Sequence, residues 1–370
     1  MSNFIEEFKK GQRSSNKGIP FGRGLESITI DTNGIQRARI YGVAGPEKSG
    51  KSTFTDYAFV LEPYLHSLEN NLQINWVYYS FEIDRVSKEF DFMAFFLHND
   101  FNITDIPLEE GVTKDGENFI PLSSDYLRGY VLDDNNQTIK IHPRIKDYII
   151  KTYEKRIVPL FGEYDAKGIQ IKKGLINFKE GRENPTGIYK DLLAIAEEEG
   201  TLLKNGNNYI SYTPRNPEAY KIIVIDHIRK IKPERGWLLK QTIDKTSEYL
   251  VILRNLLKFT FVPILHTNRN MSSTDRLNFY KGDVYPNSND LKDSGNLGED
   301  CNYLFTTFNP NDDQYNIKEH FGFKIRDSKN NLLYPNLKTI HLVSSRHCEF
   351  PRHYKVNMLG NIKKFENFNI

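Results

Sequence analysis

Residues 45–52 carry the spacing Gly-x4-Gly-Lys-Ser, which a backbone needs in order to wrap around a phosphate group. In such a loop the glycines let consecutive N–H groups point at a phosphate. Lys51 can then reach the two outer phosphates, and the Ser52 hydroxyl can hold Mg²⁺. The predicted contacts with ATP come from Gly45, Pro46, Glu47, Lys48, Ser49, Gly50, Lys51, Ser52 and Thr53. The alternative is a glycine-rich turn that arose by chance.

The sequence on either side of this loop has the pattern that the motif requires. Residues 39–44 are apolar enough for a buried strand, and residues 52–61 have the spacing of a helix that should stop near Pro63. Strand, glycine loop and helix in this order form the context in which the motif binds nucleotides.

Two carboxylates follow apolar strands elsewhere in the chain. Residues 74–81 predict a strand that ends at Glu82, and residues 221–226 predict one that ends in Asp226. At the carboxyl edge of a parallel sheet both side chains would face the ligand crevice. Glu82 could then act as a general base or orient the attacking water, and Asp226 could help to hold Mg²⁺. The alternatives are a helix N-terminal carboxylate for Glu82 and a turn cap for Asp226.

A histidine and a polar segment follow the next predicted strand, residues 261–266. His266 would lie at the same edge, either as a sensor of the terminal phosphate and the attacking water or as a structural histidine. Residues 267–290 read as a loop in which Arg269, Arg276 and Lys281 mix with amides and aromatics. This mixture suits single-stranded nucleic acid, and it also suits an ordinary solvated loop.

The composition excludes several classes of protein. With 38% hydrophobic and 26% charged residues among 370, the chain is neither disordered nor membranous in composition. No run is long enough to span a membrane, and the first residues lack the apolar stretch of a signal peptide, so we expect a cytoplasmic protein with no membrane partner. Cys301 and Cys348 are too few for a disulfide framework or a metal cluster. A net charge of +2 requires any nucleic-acid contact to come from a local patch.

The remaining periodicity predicts a large α/β domain. We divide the chain into an arm and tether at 1–17 and one domain at 18–370, with an insertion of no assigned role at about 98–219. The arm contains an amphipathic helix at 4–12, which could fold onto its own domain or dock on a neighbouring subunit. The other predicted elements are an Asn33-Gly34 hairpin turn, helices at 84–97, 145–158, 184–198 and 240–258, strands at 167–174, 301–308 and 339–343, and a closing hairpin at 353–366.

Taken together, these motifs resemble the ATPase domain of DnaB-type replicative hexameric helicases, within the RecA-like group. The matching stretches are residues 18–22, 45–53, 80–82, 225–227, 265–269, 290–300 and 344–346. The resemblance implies a RecA-like P-loop NTPase core, with a mostly parallel central sheet flanked by helices. The chain is also similar to minimal, virus-encoded members of this kind, which would place it in the cytoplasm of an infected host cell.

The resemblance also implies roles for individual residues. Lys51, Glu82 and His266 would be catalytic, with His266 in the place of the family's phosphate sensor. Arg346 would be an arginine finger that enters the ATP site of a neighbouring subunit, although Ser344 stands where the family has Lys. By the same resemblance, Lys292, Asp293 and Gly295 would contact the DNA backbone, and we add Arg269 of the mixed loop to the predicted DNA contacts.

The function that follows is ATP-driven movement along single-stranded DNA by a homo-oligomeric ring, most simply a hexameric helicase in DNA replication, with a primase or loader protein as further partner. Two alternatives stay open. One is a RecA-like recombinase or filament-forming ATPase, and the other is an ATPase switch that gates a protein partner.

Overall fold

A computed structural model of the chain describes Ile5 and residues 18–139, 142–206, 208–268, 273–291 and 295–368. The strands in these ranges are β1 (Tyr41–Ala44), β2 (Ile74–Ser80), β3 (Asp105–Pro107), β4 (Phe119–Pro121), β5 (Gly162–Tyr164), β6 (Gln170–Lys173), β7 (Ile176–Lys179), β8 (Gly200–Asn205), β9 (Asn208–Pro214), β10 (Tyr220–Asp226), β11 (Thr260–Pro263), β12 (Tyr303–Phe308), β13 (Glu319–His320), β14 (Phe323–Lys324), β15 (Leu337–Ser345), β16 (Arg352–Leu359) and β17 (Lys364–Asn367).

The helices in the same ranges are α1 (Glu26–Thr32), α2 (Lys51–Asp56, continued by the π-helical turn Tyr57–Leu61 and by Glu62–Asn70), α3 (Arg85–Phe101), α4 (Ser124–Leu127), α5 (Pro143–Thr152, continued by the π-helical turn Tyr153–Ile157 and by Val158–Phe161), α6 (Pro185–Glu199), α7 (Leu239–Leu257), α8 (Thr274–Tyr280) and α9 (Gly295–Asp300). None of these helices combines the length and the apolarity that crossing a membrane requires.

A mostly parallel sheet forms the centre of the fold. Strands β11, β10, β2 and β7 lie side by side in that order, and each neighbouring pair is parallel. Strands β1, β12, β15, β16 and β17 form a second run, parallel between β1 and β12 and antiparallel beyond. Parallel bridges from Ile40 to Phe261 and from Val43 to Ile264 join β1 to β11. The two runs therefore form one sheet, which confirms the α/β prediction.

Both faces of the sheet are buried, which explains why its strands read as continuous apolar runs. In β2, Trp76 and Tyr78 point into a core that α2 and α3 cover, while Val77 and Tyr79 point into a core that α6 and α7 cover. Successive side chains of a strand point to opposite faces, so every position of such a strand must be apolar or internally paired. The predicted helices at 84–97, 145–158, 184–198 and 240–258 and the closing hairpin are confirmed within a few residues.

Part of the stretch at 98–219 belongs to this central sheet. Strand β7 extends the sheet beyond β2, and α6 packs on the face that α7 also covers. Asn184 begins α6, because its side chain accepts the amide N–H of Gly187 at 2.7 Å. The predicted short strand at 167–174 is β6, the second arm of a hairpin with β5.

Several local predictions were wrong. Pro63 does not end the P-loop helix, because a π-helical turn precedes it and the indole N–H of Trp76 donates to the Phe59 carbonyl at 2.7 Å. In an α-helix the Phe59 carbonyl would accept the N–H of the residue four positions later, but that residue is Pro63, which has no N–H. Asn33 and Gly34 end helix α1 instead of forming a hairpin turn, with Asn33 in the left-handed conformation of a helix C-cap. Helix α8 occupies part of the predicted loop at 267–290.

A buried ion pair connects α2, α3 and β2. The Lys88 side chain is fully buried and donates from Nζ to Asp56 Oδ2 at 2.9 Å and to Oδ1 at 3.3 Å. The Tyr78 hydroxyl donates to Asp56 Oδ1 at 2.8 Å. Although burial lowers the pKa of Lys88, the carboxylates of Asp56, Asp226 and Asp91 outweigh it and raise that pKa. Lys88 is therefore held as a cation inside the protein.

Replacing Lys88 by methionine should destabilise the chain strongly, because it leaves the Asp56 carboxylate buried without its cation. We expect the free energy of unfolding, measured in urea, to fall by about 3–5 kcal/mol. Adding Asp56→Asn removes the stranded charge and keeps an acceptor for the Tyr78 hydroxyl, so the double variant should recover most of the loss. Equal stability of the single and double variants would show that the loss comes from altered packing at this position and not from the unpaired charge.

Candidate nucleotide-binding site

The loop at 45–50 joins β1 to α2 in a conformation that its glycines make possible. Gly50 has a φ of +92° at the N-cap of α2, and a Cβ on Gly45 would lie 2.6 Å from both Ser49 Oγ and the Thr307 carbonyl oxygen. Ser49 Oγ donates to the Pro46 carbonyl at 2.8 Å and lies 2.8 Å from Thr307 Oγ1. The loop is therefore held against β12 from its inner side. Glu47 and Lys48 are exposed, and Thr53 is buried in α2.

Lys51 points back into this loop from the first turn of α2. Its ammonium donates to the Pro46 carbonyl at 2.5 Å, and the side chain is nearly buried. Burial lowers the pKa of Lys51 to about 8, against the opposing effect of the carboxylates of Asp226, Glu47 and Glu82. The loop thus contains a cation that the protein solvates poorly.

Asp226 and Ser52 form the part of the site that could hold a metal ion. Asp226 ends β10 and is buried. Burial raises the pKa of Asp226, while the charge of Lys88 and the Ser52 hydroxyl, which is near enough to the carboxylate to contribute, act to lower it. A carboxylate and a hydroxyl side by side supply the oxygen ligands that Mg²⁺ prefers, so these residues fit such an ion.

Glu82 follows β2, next to the end of β10. Its Oε1 lies 3.2 Å from His227 Nε2 and 3.2 Å from Lys230 Nζ. Burial acts to raise the pKa of Glu82, but His227 and Lys230 outweigh it, so that pKa is lowered. The residue that caps α3 is Asp84, whose Oδ1 accepts the Ser87 amide N–H at 2.8 Å. The sequence left open that Glu82 is only a carboxylate at the N-terminus of this helix, but Asp84 takes that position.

His266 lies at the same edge of the sheet. The preceding residue, Leu265, donates its amide N–H to the Val43 carbonyl at 2.8 Å, and this bond aligns the segment with β1. The His266 ring meets the His227 ring edge to face, with centroids 4.3 Å apart. Burial, followed by the positive charge of Lys51, lowers the pKa of His266 to about 3, so the ring is neutral at pH 7. The structure thus brings Lys51, Ser52, Glu82, Asp226 and His266 together.

Arg346 lies at the opposite edge. Ala44, which precedes the loop, is level with Thr306 of β12, whereas Ser345 is level with Tyr303 at the other end of that strand. Arg346 is exposed and donates to the Glu299 carbonyl at 2.6 Å. It cannot reach the loop of its own chain across the length of the strand.

Other arginines lie near Arg346. Burial lowers the pKa of Arg254, and the positive charges of Arg346 and Arg39 add to this effect. Arg254 donates to Asn302 Oδ1 at 3.3 Å, and the Arg346 amide donates to the Asn302 carbonyl at 3.1 Å. Several positive charges therefore converge at the edge of the sheet opposite the loop.

The predicted DNA contacts are only partly described. Arg269, Lys292 and Asp293 lie outside the described residues, as does the helix predicted at 4–12 apart from Ile5. Gly295 begins α9 and is exposed. Arg276, which the sequence grouped with the other loop cations, is ion-paired with the buried Asp290 and donates to the Tyr285 carbonyl at 2.8 Å. Arg276 therefore fixes the segment that leads to Lys292.

Sequence reasoning missed Lys230, Lys88 and Asp56. Lys230 carries no motif signal, since its contact with Glu82 depends on how the turn after β10 packs against the end of β2. Lys88 and Asp56 each lie within a helix, where a charged residue normally indicates a solvated face. Lys88 lies on the buried face of α3, and Asp56 lies in a stretch of α2 in which residues 53–65 are all buried. A lysine and an aspartate among apolar residues of two helices were the only available signal.

No family model matches this sequence, and no curated protein matches it. Solved structures do match its fold, among them the following two. One, described as an ATPase domain, has 12% sequence identity and a TM-score of 0.62, over 99% of this chain and 97% of its own. The other, a DnaB-like replicative helicase described with its primase interactions, has 12% identity and a TM-score of 0.62, over 100% of this chain and 68% of its own. The chain has their RecA-like fold, as the sequence predicted.

Replacing Lys51 by methionine should abolish nucleotide binding and stabilise the nucleotide-free chain at pH 7, by on the order of 1 kcal/mol in urea unfolding. The reason is that folding buries an ammonium group whose pKa falls from 10.5 to about 8. Between these two pH values the unfolded chain binds more protons than the folded one, so the stability of the parent chain rises with pH. The advantage of the variant should therefore shrink between pH 8 and about pH 10. An advantage that is the same at both ends of this window would contradict the assignment.

Proposed function

We propose that the chain is an ATP hydrolase that drives movement along single-stranded DNA, acting as a hexameric ring helicase in DNA replication. The observation that carries this proposal is the convergence of Lys51, Ser52, Glu82, Asp226 and His266 at one edge of a mostly parallel sheet. These side chains provide a phosphate-binding cation, oxygen ligands for a metal, a carboxylate for water and a neutral imidazole. Phosphoryl transfer to water uses these groups.

Each group at this edge has a defined task in the proposed reaction. The loop amides and Lys51 would bind the phosphates of ATP, with Lys51 exchanging the Pro46 carbonyl for a phosphate oxygen. Ser52 and Asp226 would hold Mg²⁺, which when bound neutralises charge on the phosphates. Glu82 would orient the attacking water through its carboxylate. The neutral ring of His266 would donate a hydrogen bond to the terminal phosphate or to that water.

The proposed site includes a residue from a second copy of the chain. Arg346 lies too far from its own loop to act there, and positive charges from Arg254 and Arg39 accompany it. A cationic edge of this kind is complementary to the triphosphate of a neighbouring subunit. Ser344 provides no charge, and Arg254 is the nearby residue that could compensate for the lysine that the DnaB family has there.

Contact with DNA is proposed for the segment that follows Asp290. The ion pair between Arg276 and Asp290 fixes the chain just before Lys292, Asp293 and Gly295 in the sequence, and we include Arg269 among the proposed DNA contacts because of its charge. Phosphates of a single strand would meet the cations. The DnaB-like neighbour is described with primase, and we extend a primase or loader partner to this chain as part of the same proposal.

Steady-state ATP hydrolysis with and without single-stranded DNA tests the proposal. We expect DNA to stimulate turnover, Lys51→Ala to reduce it by at least about 100-fold, and Lys292→Ala to reduce the stimulation.

Closed rings in electron micrographs would support the helicase, and filaments on DNA would support the recombinase. ATP turnover that does not change when DNA is added would favour the ATPase switch that gates a protein partner. Two surface hairpins offer such a partner exposed apolar side chains, those of Ile169, Ile171, Leu203 and Ile210.

Arg346→Ala should reduce turnover by about 10³-fold if the arginine completes a neighbour's site. Subunits carrying Arg346→Ala retain an intact loop, and subunits carrying Lys51→Ala retain an intact Arg346. Mixing the two inactive variants before assembly should therefore restore part of the activity at shared interfaces. Failure of every mixing ratio to restore turnover, with assembly intact, would show that Arg346 does not act between subunits.

A further inference from the structure

The turn after β10 carries more than the proposed metal ligand. Asp226 is followed by His227 and by a 3-10 turn, Ile228–Lys230, and two of these side chains contact Glu82. We propose that His227 and Lys230 are positioning residues that hold the Glu82 carboxylate for the attacking water, and that His227 links this carboxylate to His266. This inference rests on the proposed function, because it assumes that Glu82 acts on water.

Both contacts are made to the same oxygen of Glu82. His227 Nε2 and Lys230 Nζ each lie 3.2 Å from Oε1. An ionised carboxylate offers acceptor sites on both oxygens, so Oε2, which neither of these two donors contacts, can accept a hydrogen bond from water. Within the described part of the chain, His227 and Lys230 therefore fix the carboxylate through one oxygen and leave the other to act.

The hydrogen bonds of His227 determine which of its nitrogens carries the proton. The Arg229 amide N–H donates to His227 Nδ1 at 3.3 Å, so Nδ1 is an acceptor. In a neutral imidazole the proton must then be on Nε2, which donates it to Glu82. The backbone of the turn thus selects the tautomer that can hold Glu82.

Restraint is needed because Glu82 is not confined by packing. Its side chain is 44% exposed, whereas that of His227 is only 7% exposed. A half-exposed glutamate has several rotamers in which it would point away from the phosphate, and selecting one of them costs side-chain entropy. A donor fixed in the protein interior reduces that freedom at the group that must be oriented in the transition state. Lys230, itself 38% exposed, adds a charged contact from the rim.

The His227 ring also contacts the proposed phosphate sensor. Its centroid lies 4.3 Å from that of His266, in an edge-to-face arrangement. A continuous set of contacts therefore runs from His266 through His227 to Glu82. Because His227 is buried and hydrogen-bonded at both nitrogens, a shift of His266 toward a phosphate would change the packing of the ring that holds Glu82.

Substitutions at His227 and Lys230 test the inference by separating kcat from KM. His227→Ala should lower kcat for ATP by about 10- to 100-fold with KM changed less than about 2-fold, and His227→Gln, whose amide can donate from a similar position, should recover much of the loss. Lys230→Met should lower kcat several-fold, and Lys230→Arg should restore it. Lys232→Met is the matched control, because Lys232 is exposed on the same segment and should leave turnover unchanged.

A double-mutant cycle with Glu82 distinguishes positioning from a general structural role. If His227 acts through Glu82, then His227→Ala added to Glu82→Gln should lower kcat no further than Glu82→Gln alone. The inference would be overturned if the losses in kcat from His227→Ala and Glu82→Gln multiplied in the double variant. Equal activity of His227→Ala and His227→Gln would also overturn it, as would equal effects of Lys230→Met and Lys232→Met. The fold of each variant is checked by urea unfolding and by binding of a fluorescent ATP analogue. Retained turnover in Glu82→Gln alone would instead refute the proposed role of Glu82, a separate failure.

Discussion

The in-register pairing of β10 with β2 is the constraint on which the candidate site depends. Tyr220 to Asp226 pair residue by residue with Ile74 to Ser80, and the Phe81 amide then donates to the Asp226 carbonyl at 2.9 Å. Because side chains alternate along a strand, a slip of one residue would turn Asp226 to the other face of the sheet. His227 directly follows Asp226, and only Phe81 separates Glu82 from Ser80, so the contact of Glu82 with His227 follows from the same register.

The buried charges near this site are of two kinds. Lys88 and Asp56 form an ion pair, with Lys88 Nζ 2.9 Å from Asp56 Oδ2 and both side chains fully buried, and this pair contributes to the stability of the fold. Lys51 and Asp226 are also buried, but burial moves the pKa of each toward neutrality, downward for the lysine and upward for the aspartate. The protein therefore stabilises the charges of Lys88 and Asp56 by pairing them with each other. The charge of Lys51 would be stabilised better by an anionic phosphate, and that of Asp226 by a divalent cation.

Sequence was sufficient where local pattern and tertiary structure agree. The apolar strands, the long amphipathic helices and the glycine loop were all recognisable, because each reflects burial or backbone conformation within a short stretch. Pro63 was misjudged because its compensation comes from Trp76, on a neighbouring strand. The edge strand β7 lay in a stretch without motifs, and Lys230 meets Glu82 only after two strand ends are placed side by side. Such contacts between distant residues leave no local periodicity.

The separation of Arg346 from the loop has a consequence for assembly. If one edge of a chain binds phosphate and the opposite edge supplies the arginine, neighbouring subunits must meet head to tail, through two different surfaces. Such a contact forms a ring when the rotation between subunits closes, and a filament when it does not. Ring helicase and filament-forming recombinase would then share one composite site and differ only in that rotation. In either assembly a single chain would hold the groups proposed to bind ATP and orient water, and it would depend on its neighbour for the cation proposed to stabilise the transition state.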